Sequence, residues 1–438
     1  MSGFVRIIKE LFTNKNIRNK LLFTLGALLV YRMLVLIPVP FVDIGQLVNQ
    51  TLETSGLGYF VMLLWGSLEN FSIIAVGLAP YINASIILQL LTQVIPSLEE
   101  LTEQGEVGQQ KISQYTRYLT LPLAFLQGIG MVFFINYLLG GNVIDTSSIS
   151  TVLLSAFALT VGSLLLMYLG EMITEKGIGN GISFLIFASI VSGMVQQIST
   201  SVAGAASARG IAAFMLVVVL GLILLTIFIL KSQKNIPIVY ARQGKVQETS
   251  SLPIPLNPVG MVPIIFAIAF VTFPYLFSRL IVQFQPTNVN LMAVANWIEA
   301  NFNIYAQQPA WLAIAFYFVL IIVFTFFYTL IVFSPERIAD NIQKRWGFIP
   351  GIRPGDETAK YINKIIMHLC LWGGIGLAFV GAYTYLINLI PFIQDIVMAL
   401  GSVPTVVTGS GIVIMVWVVQ DVVSKVKTEL ITQKYDSI

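Results

Sequence analysis

Charge is what this sequence has least of. Only 10% of its 438 residues are Asp, Glu, Lys or Arg, against 56% apolar ones, whereas a soluble globular domain carries about 25% charged side chains. So few charges cannot coat a water-facing surface of this size, which excludes a soluble enzyme. A chain this apolar is not disordered either. Cysteine occurs once, as Cys370, so no disulfide framework or cysteine-based metal cluster forms within the chain. His368 is the single histidine and leaves little for histidine catalysis. The net charge of +3 is too small to imply nucleic acid. What is abundant is long hydrophobic sequence, and the reading is a polytopic membrane protein.

A helix crossing the ~30 Å hydrocarbon core needs roughly 20 mostly apolar residues, and it pairs its backbone groups internally, as lipid demands. Runs such as Leu320–Tyr328 show no alternation of the kind a membrane barrel requires. Ten windows qualify: 21–37, 76–95, 117–138, 151–170, 182–200, 211–230, 258–280, 311–333, 363–389 and 405–423. The first follows a charged arm, like a signal peptide, but no small-residue cleavage site comes after it, so it counts as a span. Of the 24 lysines and arginines, all but three then fall on one side of the membrane. Arg209 and Arg279 face the other side, and Arg32 lies inside the first span, near enough to Pro38 to snorkel to the interface. By the positive-inside rule both termini are cytoplasmic.

Three long polar loops, 96–116, 231–257 and 334–362, lie on the cytoplasmic side. The last two are the strongest basic surfaces of the chain. They suit either anionic lipid or a large acidic partner, and their length leans toward the partner. Ten spans divide into five and five near residues 203–210. Because five is odd, the second half enters the membrane inverted, which permits an inverted repeat. The halves are 1–203 and 204–438. Residues 59–75 are apolar but interrupted by Gly66, Glu69 and Asn70, and a full crossing there would invert every later loop. The segment therefore returns to its own side, either as a re-entrant half helix beside a cavity or as an outer-surface helix.

Several chemistries fail on spacing. His368 and Ser410 sit near opposite ends of their spans, roughly 10 Å or more apart in depth at 1.5 Å per residue, too far for a serine-protease pair. Gly177-Ile178-Gly179-Asn180-Gly181 follows no strand and precedes no Lys-Ser/Thr, so it is not a phosphate loop. Paired acids in mid-span, which an ion-coupled transporter usually needs, do not occur. The residues alone lead to a channel or transporter with a large cytoplasmic partner.

Four strings carry a more specific message. They are Gly105-Glu106 through Lys111-Ile112-Ser113-Gln114-Tyr115-Thr116-Arg117-Tyr118; Tyr168-Leu169-Gly170-Glu171 through Gly177-Ile178-Gly179-Asn180-Gly181-Ile182-Ser183; Ala79-Pro80-Tyr81-Ile82-Asn83-Ala84-Ser85; and Pro350-Gly351-Ile352-Arg353-Pro354-Gly355 followed by Thr358-Ala359-Lys360-Tyr361-Ile362. In this order and spacing the chain resembles the SecY family, the central subunits of the Sec protein-conducting channel, along essentially its whole length.

The resemblance implies an all-α fold of ten transmembrane helices in two inverted five-helix halves around an hourglass pore. It implies a plug within 59–75, here worded Trp65-Gly66-Ser67-Leu68-Glu69-Asn70. The pore ring maps onto Leu78, Ile82, Ile182, Ile186, Ile265 and Ile414, and lateral-gate positions onto Asn83 and Gln127. Arg353 in one cytoplasmic loop, with Arg242 and Lys245 in the other, matches the surface that docks the ribosome or the SecA motor. The implied partners are SecE-like and SecG-like small membrane subunits, signal peptides, unfolded polypeptides and membrane lipid. The implied location is a bacterial-type plasma membrane. No catalytic residue, metal or cofactor is implied. The energy comes from SecA ATP hydrolysis or from translation, and the implied work is moving secretory polypeptides across the membrane and releasing hydrophobic segments sideways into lipid.

Overall fold

The computed structural model describes residues 15–42, 71–138, 144–145, 148–203, 209–240, 248–284, 288–304, 310–388 and 408–436. The chain divides into two compact units, Met1–Gly204 with Val418–Ile438, and Ala205–Trp417. Each of the ten apolar windows overlaps one long helix. The helices run past the windows wherever charged sequence continues them, because charges end a hydropathy window without ending a helix.

In the first unit lie α1 (Lys15–Val35), α2 (Ala79–Val94), α3 (Pro96–Glu103), α4 (Glu106–Leu138), α5 (Ile149–Lys176) and α6 (Gly181–Ala203). Helix α1 stops shortly before Pro38-Val39-Pro40, since proline lacks an N–H and disfavours helical backbone in the residue before it. The chain beyond α1 is then tied to the residues leading into α2. Val39 N–H donates to the Phe71 carbonyl and Ile73 N–H to the Ile37 carbonyl, both at 2.9 Å. Phe71 is fully buried, in a core with Val39, Val76, Val132, Ile135 and Leu159. A Cβ on Gly162 would stand 2.0 Å from the Ile73 carbonyl oxygen, so only glycine lets α5 lie against this turn.

The second unit holds α7 (Arg209–Lys231), β1 (Gln233–Tyr240), β2 (Glu248–Pro255), α8 (Val262–Phe284), α9 (Val289–Phe302), α10 (Trp311–Val332), α11 (Pro335–Lys344), β3 (Gly347–Phe348) and α12 (Asp356–Asn388). The last helix, α13 (Gly409–Asp436), begins here and ends in the first unit. Two of the long polar loops are thus structured. Their strands form one antiparallel sheet in the order β2-β1-β3. Ile236, Ile238, Ile254, Ile342, Ile349, Ile362 and Ile366 make a small core of their own beneath it. The third polar loop holds α3 and the first turns of α4.

Helix surfaces identify the solvent. Helix α5 exposes Ile149, Leu153, Phe157, Val161 and Leu165 at every fourth position, while burying Ser155, Ala156, Gly162, Ser163 and Gly170. Helix α1 exposes Leu22, Leu25, Leu29 and Met33, and α7 exposes Val217, Leu220, Leu224 and Phe228. These stripes reverse the pattern of a water-soluble helix. Moving each such side chain out of water is worth about 1.5–3 kcal/mol, so the stripes face hydrocarbon. Small residues on the buried side let neighbouring backbones approach, as membrane helix packing requires. Several buried hydroxyls are satisfied within their own helices: Thr120, Thr160, Thr325 and Thr329 each donate to the carbonyl four residues earlier. By length and composition alone, four described stretches can cross a membrane: Ile149–Lys176, Trp311–Lys344, Asp356–Ile387 and Gly409–Ile431.

Candidate functional site

The pore-ring positions of the first unit stand at two helix beginnings, each fixed by its local sequence. Leu78 caps α2 and Pro80 occupies its first turn, where a missing N–H costs nothing. Gly77, with φ of +63°, makes the bend that starts the helix. Its N–H donates to the Ile74 carbonyl at 2.8 Å, and its carbonyl accepts from Ser163 Oγ at 2.7 Å. Ile82 N–H donates to the Leu78 carbonyl at 3.0 Å, which places the two aliphatic side chains one turn apart on one face. Leu78 is buried, and Ile82 and Asn83 are half-buried.

The second beginning is the glycine turn between α5 and α6. The Asn180 carboxamide oxygen accepts from the N–H groups of Ile182 and Ser183 at 3.1 and 3.2 Å, capping α6. Gly181 N–H donates to Thr174 Oγ1 at 2.9 Å, and Ile178 N–H to Thr24 Oγ1 at 3.2 Å. A Cβ on Gly181 would meet the Gly170 carbonyl oxygen at 2.0 Å, and one on Gly177 would meet Thr24 Oγ1 at 2.5 Å. These glycines do the work of close packing. They start α6 at a set height against α5, with Ile182 half-buried and Ile186 1% exposed one turn on. Nearby, Arg117 Nε donates to Glu171 Oε1 at 2.8 Å, joining two of the strings on which the family resemblance rests. Gln127 lies half-buried on α4.

In the second unit, Ile265 sits in the first turn of α8, its N–H donating to the Met261 carbonyl at 3.4 Å. The turn before it is closed by Asn257, which donates to the Gly260 carbonyl at 2.8 Å. Ile414 is buried in the first turns of α13. That helix begins at Gly409, where a Cβ would stand 1.8 Å from the Val380 carbonyl oxygen. Chemically, all six positions are aliphatic hydrocarbon, which offers an ion nothing to replace its water.

Arg353 is exposed on a loop between Gly351 and Gly355, at φ of +83° and +98°. Its carbonyl accepts from Thr358 Oγ1 at 2.8 Å, and Ile352 packs into the core under the sheet. Arg242, Lys245 and the plug positions Trp65, Gly66, Ser67, Leu68, Glu69 and Asn70 lie outside the described residues. His368 Nδ1 pairs with the Lys364 carbonyl at 2.7 Å and Ser410 Oγ with Thr408 Oγ1 at 3.2 Å, so each is engaged locally. Among the described residues no group of His, Cys, Asp and Glu could hold a metal ion.

Sequence reasoning passed over one arrangement around the glycine turn. Ile178 packs with Ile17 of α1 and Val426 of α13, and Lys20 of α1 is paired with Glu429 of α13. The partners are 409 positions apart, so no local pattern announces the pairing.

The SecY family model matches residues 72–423. The chain is 38% identical over 455 residues to the protein translocase subunit SecY of Bacillus subtilis, covering 99% of this chain and 98% of the relative. It is 36% identical over 433 residues to that of Vibrio cholerae, covering 96% and 94%. Its fold matches a solved protein-conducting channel with a TM-score of 0.63 at 17% identity, over 96% of this chain and 94% of the other. It also matches Sec61 of the canine ribosome–channel complex with a TM-score of 0.61 at 16% identity, over the same shares. With the starts of α2 and α6, the glycine turn and the arginine loop falling on the strings that the resemblance rests on, and with these matches over nearly its whole length, this chain belongs to the SecY family.

Proposed function

We propose that the chain is the channel-forming subunit of a protein translocase, a passive gated conduit for unfolded secretory polypeptides that also releases hydrophobic segments sideways into lipid. The observation that carries this is the pair of aliphatic steps, Leu78 with Ile82 and Ile182 with Ile186, each one helical turn long at a helix start held by glycine. In this reading Ile265 and Ile414 supply the rest of the aliphatic constriction. A dewetting constriction of hydrocarbon rejects hydrated ions yet deforms around a passing chain without demanding a sequence.

In this reading the ten long helices are ten spans in two inverted halves, 1–203 and 204–438. Residues 59–75 are the plug, and Asn83 and Gln127 line the lateral gate. The location is a bacterial plasma membrane, in keeping with relatives named as translocase subunits in Bacillus and Vibrio, and the one-sided lysines and arginines support cytoplasmic termini. Arg353, exposed on its loop, is with Arg242 and Lys245 the docking surface for the ribosome or the SecA motor; the ribosome-bound neighbour supports a ribosome as one such partner. SecE-like and SecG-like subunits complete the assembly. The test is ion conductance of the channel in planar bilayers. Ile182→Ser combined with Ile186→Ser should raise leakage several-fold, and an unchanged conductance would remove these residues from the ring.

A further inference from the structure

Among the described helices of the second unit, α9 is the longest that the apolar windows do not include. At 14 residues it is about 21 Å long, too short to cross the ~30 Å core. It links the end of α8 to the start of α10, while β1 and β2 precede α8 and α11 and β3 follow α10. The chain order therefore sets α9 at the membrane face opposite the sheet. It is held down on its inner side: Ala295 is fully buried, and the Phe302 ring stands edge-on to Phe316 of α10 at 5.5 Å.

Its outer side is unusual for a helix at a water boundary. Val289, Ala293, Trp297 and Ala300 share one exposed face at helical spacing, with Asn290 and Asn296 exposed along its edges. Trp297 is 58% exposed and Val289 81%. The helix carries no lysine or arginine, and its one acid, Glu299, is half-buried. At the same end, Trp311 opens α10 and is 70% exposed. Tryptophans mark the headgroup level, where an apolar body and an N–H are both accommodated.

We propose that α9 is an interfacial anchor, lying flat in the headgroup region with its Val289–Trp297 face turned into an uncharged or zwitterionic lipid surface and tethering the α8–α10 pair at a fixed depth. Continuity with two spans brings this face to lipid, the tryptophan pair sets its level, and the lack of cations makes the attachment apolar and independent of anionic lipid. The inference rests on reading α8 and α10 as membrane spans.

The test is nitroxide accessibility in the full chain, in a Cys370→Ser background, reconstituted into phosphatidylcholine vesicles. Labels at Ala293→Cys, Trp297→Cys and Ala300→Cys should be relaxed by oxygen several-fold more than by an aqueous nickel chelate. A label at Ala295→Cys should be shielded from both. Added phosphatidylglycerol or salt should change nothing. Labels at Val319→Cys and Val323→Cys, on the exposed face of α10, report the span reading separately and should show deeper lipid. With these deep, free access of nickel to α9 (a helix in water), shielding of all four sites (a partner subunit or second copy covering it), or dependence on phosphatidylglycerol would each overturn the anchor. If the α10 labels are themselves open to nickel, the span reading falls first and takes the anchor with it.

Discussion

The turn at Gly177–Gly181 and the loop at Gly351–Gly355 are both glycine-bracketed, yet the glycines answer to different physics. In the first, space decides at Gly177 and Gly181, while Gly179 between them, at φ of +84°, is held to glycine by conformation. Gly181 and Gly177 are pressed so closely to backbone and to Thr24 that a single methyl group has nowhere to go. In the second, conformation decides. A Cβ on Gly351 would meet nothing within 4 Å, but its φ of +83° lies in the left-handed region that side chains disfavour. The first turn fixes the height at which aliphatic side chains begin on α6. The second holds an arginine out to water. One motif builds an interior step and the other a surface handle, so the same substitution should have unlike consequences in the two places.

The largest effect is expected at Gly181→Ala. The obstructing atom is a carbonyl oxygen in the neighbouring helix, which cannot rotate away, so α5 and α6 must separate. Overpacking of this kind costs about 3 kcal/mol. Thermal unfolding in detergent should move to markedly lower temperature, and a conductance leak should accompany it because Ile182 and Ile186 shift with the helix. Gly351→Ala should cost about 1–2 kcal/mol, the price of left-handed backbone for a side chain with a Cβ. Gly351→Asn should recover part of that, because asparagine enters the left-handed region more readily. A Gly351→Ala variant as damaged as Gly181→Ala would erase the distinction between space and conformation. If Gly351→Asn were no better than alanine, the loop would be limited by something other than its dihedral angles.

Much of this was legible beforehand, and the exceptions have physical causes. The apolar windows overlap helices because lipid-facing and helix-packing residues are both apolar, so a spanning helix leaves a signal along its whole length. The sheet has the sequence of a polar loop. Its Ile236, Ile238 and Ile254 sit among polar residues, and Pro237 and Pro253 punctuate both strands, so the alternating pattern is short and broken. Helix α9 was missed because its outward apolar side chains are too few for a span and its charges too few for a water-exposed helix. The glycine string was recognisable as a motif, but its function of admitting the Gly170 carbonyl depends on how α5 and α6 pack, which no local pattern records.

The smallest effect on stability, and the sharpest use of the comparison, is expected from Arg353→Glu. The loop around it is held by the Arg353 carbonyl, the Thr358 hydroxyl and the half-buried Ile352, none of which needs the guanidinium. Exposed substitutions away from such features usually stay within about 0.5 kcal/mol, so the unfolding temperature should barely move. Partner-driven translocation should nonetheless fall, because reversing the charge turns an attraction for an acidic partner into repulsion. Raising the salt concentration should weaken the parent protein in the same assay, since exposed charges are screened over about 8 Å at physiological ionic strength. Should Arg353→Glu instead lose stability in step with transport, the arginine would be part of the loop's own scaffold. The contrast between an interior step and a surface handle would then fail at the handle.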